Sequence, residues 1–324
     1  MAAWARLARV LRAVRLPADE APVLLPSDSN DVWRIGPAVV RVCWRGDRER
    51  FAREAAVTRA LPPGVPYPEV LDTGDDGDLA WQVTRFVEGV PLATMWHGLS
   101  RAERRDAVHQ LGNALAALHA HRFPADVVAA LAAPRPVGDA SAVIGADITP
   151  LPLPRAELLL TAARREGRAD EALLDDVAAR FRELADADPL ADASLNGTVT
   201  CVHGDAHLGN ALWKDGRLTA LLDFEWVRLG PPDLELEPYL RADTAGLTTH
   251  AELRETLGRL AESYPAMFAA SDLVRRLWLY QLATAVRELF LVEPGQQPDE
   301  GMLRRIVKSP DHLRLLLGAG AVSP

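Results

Sequence analysis

The chain has 324 residues, 48% of them hydrophobic and 25% charged, with a formal net charge of −9. That length allows one large domain or two lobes with a sizeable core, and the composition is that of a soluble globular protein. The acidic balance argues against a general nucleic-acid partner, and no apolar stretch is long enough to span a membrane.

The first seventeen residues carry four arginines (Arg6, Arg9, Arg12 and Arg15) and no acid, with Trp4, Leu7, Leu11 and Val14 on one helical face. A transit peptide or a membrane-surface helix would look similar. An amphipathic helix packed on its own domain is the favoured reading, because lysine occurs only at 214 and 308 and arginine is the default base of this chain. Cys43 and Cys201 each lie in an apolar run and read as buried free thiols, which points to the cytoplasm.

Pro17 to Pro26 reads as a linker or short strand. The polar run Ser27-Asp28-Ser29-Asn30 leads into a strand pair, Val32–Ile35 and Ala38–Trp44, around a Gly36-Pro37 turn. Arg41 is the one charge inside the second strand. A helix over Asp47–Leu61 contains Glu54, and Pro62 to Pro68 end it. A second hairpin is expected from Val70–Thr73 and Leu79–Phe86. Ser100 with Glu103 forms a capping box that opens a helix running to about His121. Pro124 to Pro154 reads as irregular, followed by helical patterns at Arg155–Glu166 and Asp170–Asp186. Further helices are expected at His250–Tyr264, Asp272–Leu291 and Met302–Leu317.

Between those helical regions lies CVHGDAHLGNALWKDGRLTALLDFEW, Cys201 to Trp226. Two apolar runs, Thr198–Val202 and Leu218–Leu222, each end in polar residues. The first delivers His203, Gly204, Asp205 and then Asn210. The second delivers Asp223, Phe224 and Glu225. A carboxylate, a carboxamide five residues on and a second carboxylate after the next strand are suited to hold Mg²⁺ on a nucleotide's phosphates with an acceptor hydroxyl beside them. Asp205 would receive or orient the hydroxyl proton, while Asn210 and Asp223 would supply hard oxygen ligands. His203-x-Asp205 with a distant histidine is also the pattern of a 2-His-1-carboxylate iron site. Such sites usually sit on strand-rich folds, and the C-terminal half of this chain reads as helix.

HGDAHLGN followed by LLDFEW resembles the catalytic and metal-binding loops of the protein-kinase-like superfamily, in the branch of the aminoglycoside phosphotransferases. The resemblance covers about Ser27 to Leu240. It implies an α+β, two-lobed fold: residues 1–88 a nucleotide-binding lobe of antiparallel sheet plus helix, residues 89–324 a mainly helical catalytic and acceptor-binding lobe. It also implies transfer of the γ-phosphoryl group of ATP, with Mg²⁺, to a hydroxyl of a small molecule.

Residue by residue, the resemblance places Arg41 where the family's phosphate-binding lysine stands, with Glu54 as its partner. Ser27, Asp28, Ser29 and Asn30 fall in the loop over the nucleotide, and backbone groups of Arg85, Phe86 and Val87 at the adenine. Asp233 would brace the catalytic loop, although Gly230-Pro231-Pro232-Asp233 is compressed against the family pattern. Glu235 and Glu237, together with the acidic balance, suggest an acceptor carrying positive charge. A peptide Ser/Thr kinase and a non-catalytic nucleotide-binding module are the alternatives, and intact Asp205, Asn210 and Asp223 argue against the latter.

Overall fold

The computed structural model describes residues 2–16, 20–27, 30–45, 47, 49–132, 150–190, 200–244, 248–291, 298 and 300–318. Helix α1 (Ala3–Ala13) and the residue capping it lay Leu7, Val10 and Val14 on one face of a sheet, against Trp33, Ile35, Val40 and Val42. Two of its arginines are paired within the protein, Arg6 with Asp31 and Arg9 with Asp76 and Asp78, while Arg12 is exposed. The arginine-rich segment is therefore a packed helix. Trp4 departs from the expected face, being 56% exposed and tilted against Trp33.

Five strands form the sheet of the small lobe: β1 (Val23–Leu25), β2 (Asp31–Ile35), β3 (Ala38–Cys43), β4 (Val70–Asp75) and β5 (Ala80–Arg85). They lie in the order β1-β2-β3-β5-β4 and every pairing is antiparallel. Strand alternation sends Val40 and Val42 toward α1 and Arg41 to the opposite face. Gln82, the cross-strand neighbour of Arg41, shares that face. Helix α2 (Arg50–Arg59) packs on β4 and β5 and delivers the buried Glu54 there. The polar run that begins at Ser27 joins β1 to β2, so it belongs to that connection and not to the β2–β3 hairpin tip.

In the large lobe, β6 (Val90–Pro91) leads into the short helix α3 (Leu92–Met95). Helix α4 (Arg101–Ala120) opens on the expected box: the Glu103 N–H donates to Ser100 Oγ and the Ser100 N–H to Glu103 Oε2. Helix α5 (Ala125–Ala132) occupies the start of the segment read as irregular, and 133–149 lie outside the described residues. Helices α6 (Leu153–Glu166), α7 (Glu171–Leu184), α8 (Glu237–Thr244), α9 (His250–Ser263) and α10 (Leu273–Glu288) share one core with α4, including Leu111, Leu115, Leu159, Phe181, Leu257 and Tyr280. The helix expected over Met302–Leu317 is two, α11 (Glu300–Ile306) and α12 (Asp311–Leu317). Pro310 divides them, since it lacks an N–H and disfavours helical geometry in the residue before it.

Set among these helices are β7 (Thr200–Val202), which pairs with β10 (Arg228–Gly230), and the hairpin β8 (Ala211–Lys214)–β9 (Arg217–Leu221). β6 pairs with β8, so the chain entering the large lobe becomes part of that hairpin's sheet. Gly89, just before β6, packs so closely that a Cβ there would meet Thr219 Oγ1 at 2.7 Å and Leu212 Cβ at 3.0 Å. Among the described residues no helix is long and apolar enough to cross a membrane.

Candidate active site

β7 delivers the loop His203–Asn210 from the core. Gly204 has φ +81°, and a Cβ on it would stand 2.7 Å from the Trp226 carbonyl oxygen, so a side chain cannot be accommodated. His203 is fully buried. The Asp205 N–H donates to its Nδ1 at 3.1 Å, and its Nε2 donates to the Leu222 carbonyl at 2.8 Å. Burial holds this imidazole below its ordinary pKa, so it is neutral and ties the two loops together. Both ring nitrogens are committed, which removes His203 as an iron ligand. Among the described residues no cluster of three or more His, Cys, Asp and Glu could hold a metal.

The brace of this loop is Glu235, not Asp233. Glu235 accepts the N–H groups of His203 at 2.6 Å and Gly204 at 3.1 Å, and His119 Nε2 lies 3.1 Å from its Oε1. Asp233 turns away, accepting from the Tyr280 hydroxyl at 2.9 Å and from Arg276 at 3.4 Å. Glu237 is 1% exposed and accepts from Thr284 Oγ1. Glu235 and Glu237 are both buried and engaged, so neither presents an exposed carboxylate to an acceptor, against the expectation.

The Asp205 carboxylate accepts from Arg241 Nη2 at its Oδ1 (2.7 Å) and from Asn210 Nδ2 at its Oδ2 (3.1 Å). Asn210 Nδ2 also reaches the Asp205 carbonyl at 2.9 Å, and His207 Nε2 stands 3.5 Å from Oδ2. Burial pushes this carboxyl up, but His207 and Arg241 outweigh it and hold it below the usual carboxylate range. The Leu222 N–H donates to the Asn210 carbonyl at 2.7 Å, bringing the end of β9 beside the loop. Asp223 follows at φ +66°, a left-handed conformation that Asp tolerates better than most residues.

Asp223 and Arg41 meet across the lobes. Arg41 Nη2 reaches Asp223 Oδ1 at 2.7 Å and Glu225 Oε2 at 3.2 Å. Arg41 Nη1 reaches both oxygens of Glu54, at 2.6 and 2.8 Å. Glu54 also accepts from the Tyr67 hydroxyl at 2.8 Å and the Phe224 N–H at 3.2 Å. Arg41 is thus a bridge with 13% of its side chain exposed, and no strand residue pointing at solvent. Burial and the neighbouring Glu225, Glu54 and Asp205 carboxylates raise the Asp223 carboxyl against the pull of Arg41. Its side chain remains 31% exposed, so the crowding is by charge and protein atoms on one side only.

This donor set fits Mg²⁺. Asn210 donates through Nδ2 and its Oδ1 has no hydrogen bond among the described residues. Asp223 adds a carboxylate in surplus negative charge that a dication would relieve. Mg²⁺ is characteristically held by one or two such oxygens, with phosphates and waters completing the shell.

The remaining expected residues divide. Asn30 is buried, donating to Glu225 Oε2 at 2.9 Å and accepting from Arg50 at 2.6 Å, which ties the β1–β2 connection to the site. Ser27 is exposed, and Asp28 and Ser29 lie outside the described residues. The Arg85 side chain is 55% exposed and pairs with Glu69, away from the cluster. The Arg85 N–H is taken by the Glu69 carbonyl and the Phe86 N–H by the Pro37 carbonyl, both inside the small lobe. Of the three, Val87 keeps a backbone N–H outside those bonds.

A family model described as the phosphotransferase enzyme family matches residues 25–273. The chain belongs to that family. Its fold is similar to aminoglycoside 2'-phosphotransferase-IIIa in complex with GDP, with TM-score 0.60 and 16% identity over 98% of this chain and 97% of that one. Aminoglycoside phosphotransferase APH(4)-Ia gives TM-score 0.60 and 16% identity over the whole of both chains. The streptomycin–ATP–APH(2")-IIa ternary complex gives TM-score 0.58 and 18% identity over 92% of each. No curated protein sequence matches the chain. This phosphotransferase therefore has the kinase-like, two-lobed α+β fold, with an antiparallel sheet in the small lobe and helices in the large one.

Proposed function

We propose that the protein transfers the γ-phosphoryl group of ATP to a hydroxyl of a small molecule, in the cytoplasm. The observation that carries this is the meeting of Asp205, Asn210 and Asp223 with the Arg41–Glu54 pair; on this reading the lobes divide near Gly89 into residues 1–88 and 89–324. Asp205 orients the acceptor hydroxyl and takes its proton. Asn210 and Asp223 hold Mg²⁺, which neutralises charge on the phosphates when bound. Arg41, oriented by Glu54, meets the phosphates with its planar fork. Val87 offers its N–H, and Arg85 its carbonyl, to adenine. The β1–β2 connection, from Ser27 through Ser29 to Asn30, lies over the phosphates, and Phe86 shapes the adenine pocket.

Catalysis on this reading is positioning and charge neutralisation, because the loose transition state asks for little covalent chemistry. The solved structures include one with streptomycin and one with hygromycin B, which makes an amino-sugar-like acceptor a first class to try. Glu235 and Glu237 give no support to a cationic acceptor, being buried and engaged. The test is phosphate transfer from γ-labelled ATP to a panel of cationic, neutral and anionic alcohols and Ser-containing peptides. Mg²⁺-dependent transfer to a small alcohol supports the reading. Transfer to peptides alone, or ATP binding with no turnover on any acceptor or water, refutes it.

A further inference from the structure

Arg241 carries no motif, yet it makes the shortest side-chain contact to the Asp205 carboxylate: 2.7 Å, against 3.1 Å for Asn210 and 3.5 Å for His207. It stands on α8, directly after the turn that carries Glu235. One short stretch of chain therefore grips the catalytic loop twice, at the backbone of His203 and Gly204 through Glu235 and at the side chain of Asp205 through Arg241. The guanidinium is itself steadied by Glu237, one helical turn back, whose Oε2 lies 3.7 Å from Arg241 Nε. Arg241 keeps 29% of its side chain exposed and Asp205 15%, so the pair borders the open side of the site and is no sealed core contact.

We infer that Arg241 is a positioning residue for Asp205. It holds the carboxylate by Oδ1, so that Oδ2, steadied by Asn210, keeps its remaining lone pair for the acceptor hydroxyl. The inference rests on the phosphotransfer reading above. The terminal torsion of an aspartate is broad, so a carboxylate anchored only through Asn210 would sample many orientations. A charge-assisted bond to its other oxygen narrows them. The same bond lowers the basicity of Asp205, a small penalty where orientation matters more than proton affinity. As the acceptor oxygen bonds to the γ-phosphorus, the bond to the bridging oxygen breaks. Its electron pair leaves with the nucleoside diphosphate, and the hydroxyl proton passes to Asp205 Oδ2.

The test uses full-length Arg241→Ala, Arg241→Gln and Arg241→Lys with MgATP, water serving as the acceptor. A misplaced catalytic group can cost about two orders of magnitude in rate. The expected result is a roughly 10- to 100-fold loss of kcat in the Ala and Gln variants with KM for ATP within about twofold, and a smaller loss in Lys. Methylguanidinium in the buffer should restore part of the Arg241→Ala rate and leave Asp205→Asn unchanged. Unchanged kcat in Arg241→Ala overturns the inference, as does a loss that tracks a lowered melting temperature and is not rescued. A wild type that binds ATP without turning it over on water or on any acceptor of the panel overturns the phosphotransfer reading and this inference with it, and that result is distinct from an active wild type with an indifferent Arg241.

Discussion

Replacing Arg41 by lysine restores the residue that most kinases place on this strand, and it should nevertheless damage the enzyme. Arg41 faces carboxylates on two sides: Nη1 binds Glu54 and Nη2 binds Asp223 and Glu225. A lysine ammonium is a single point and can keep one side only. Losing one charge-assisted hydrogen bond is worth about 1.5–3 kcal/mol, of which water at the open Asp223 side recovers part. A decrease of roughly 10- to 30-fold in kcat/KM for ATP follows, at about 1.4 kcal/mol per tenfold.

Arg41→Ala should be worse, and in stability too. Among the described residues it leaves the fully buried Glu54 with only the Tyr67 hydroxyl and the Phe224 N–H as donors. Breaking a buried pair typically costs about 3–5 kcal/mol, and those two donors place the expected loss at the lower end. Glu54→Gln alone should resemble Arg41→Lys. Combined with Arg41→Ala, it should give less than the sum, because both changes strike one contact. The assays are steady-state kinetics with varied ATP and denaturant unfolding across the cycle. Additive effects, or an Arg41→Lys enzyme equal to wild type in both measurements, would refute the bridging role.

Asp205→Asn should keep nucleotide binding and lose kcat by about two orders of magnitude or more, as read by ATP turnover beside equilibrium binding of a fluorescent nucleotide; near-normal turnover would sink the base assignment. Asp223→Ala should weaken Mg²⁺-dependent nucleotide binding more than Asn210→Ala, since a full charge is lost where the other loses a dipole. Mg²⁺ titration calorimetry with nucleotide present checks this, and equal small effects would remove both residues from the metal. His203 gives a pH prediction. Its folded pKa lies below the ordinary value of about 6.5, so the unfolded chain binds more protons below that pH. Its contribution to stability is present above about 6.5 and is lost as pH falls through the folded value. Urea unfolding at neutral and mildly acidic pH should show the loss, and a His203→Gln variant that keeps the whole pH dependence would count against it.

The site was legible where its parts are local. Asp205 and Asn210 lie five residues apart, and Asp223 ends the next strand of the same hairpin, so spacing alone brings them together. Arg41 and Glu54 were legible through the resemblance and meet as expected. Arg241 and Glu235 were not legible, because their partners lie 36 and 31 residues away and a helix-face charge looks the same whether it is solvated or gripping a loop. Glu235 displaced Asp233 as the brace, which the compressed spacing after Gly230 foreshadows without deciding. The β8–β9 hairpin carried an unused signal in Asp215-Gly216, both of which have positive φ. At the C-terminus, apolar periodicity runs through Pro310 although the backbone cannot.

The pinned stretch between the lobes decides where they can move. Glu88 pairs with Lys214, and its carbonyl accepts from Thr219 Oγ1 at 3.0 Å. Gly89 is wedged on the same hairpin and Val90–Pro91 are laddered to it, so the chain is fastened to the large-lobe hairpin from the last residue of the small lobe, Glu88, onward. Phe86, bonded to Pro37, travels with the small lobe. Val87 lies between the two, the residue whose N–H is proposed above to meet adenine, and a swivel of one lobe against the other would turn about it as an axle. An adenine bound there would sit on the axle, so lobe closure would swing the phosphates and Arg41 through an arc while hardly shifting the base. Nucleotide should therefore slow amide exchange at Val87 far more than at Val90. Equal protection at both residues would mean that the linker bends elsewhere.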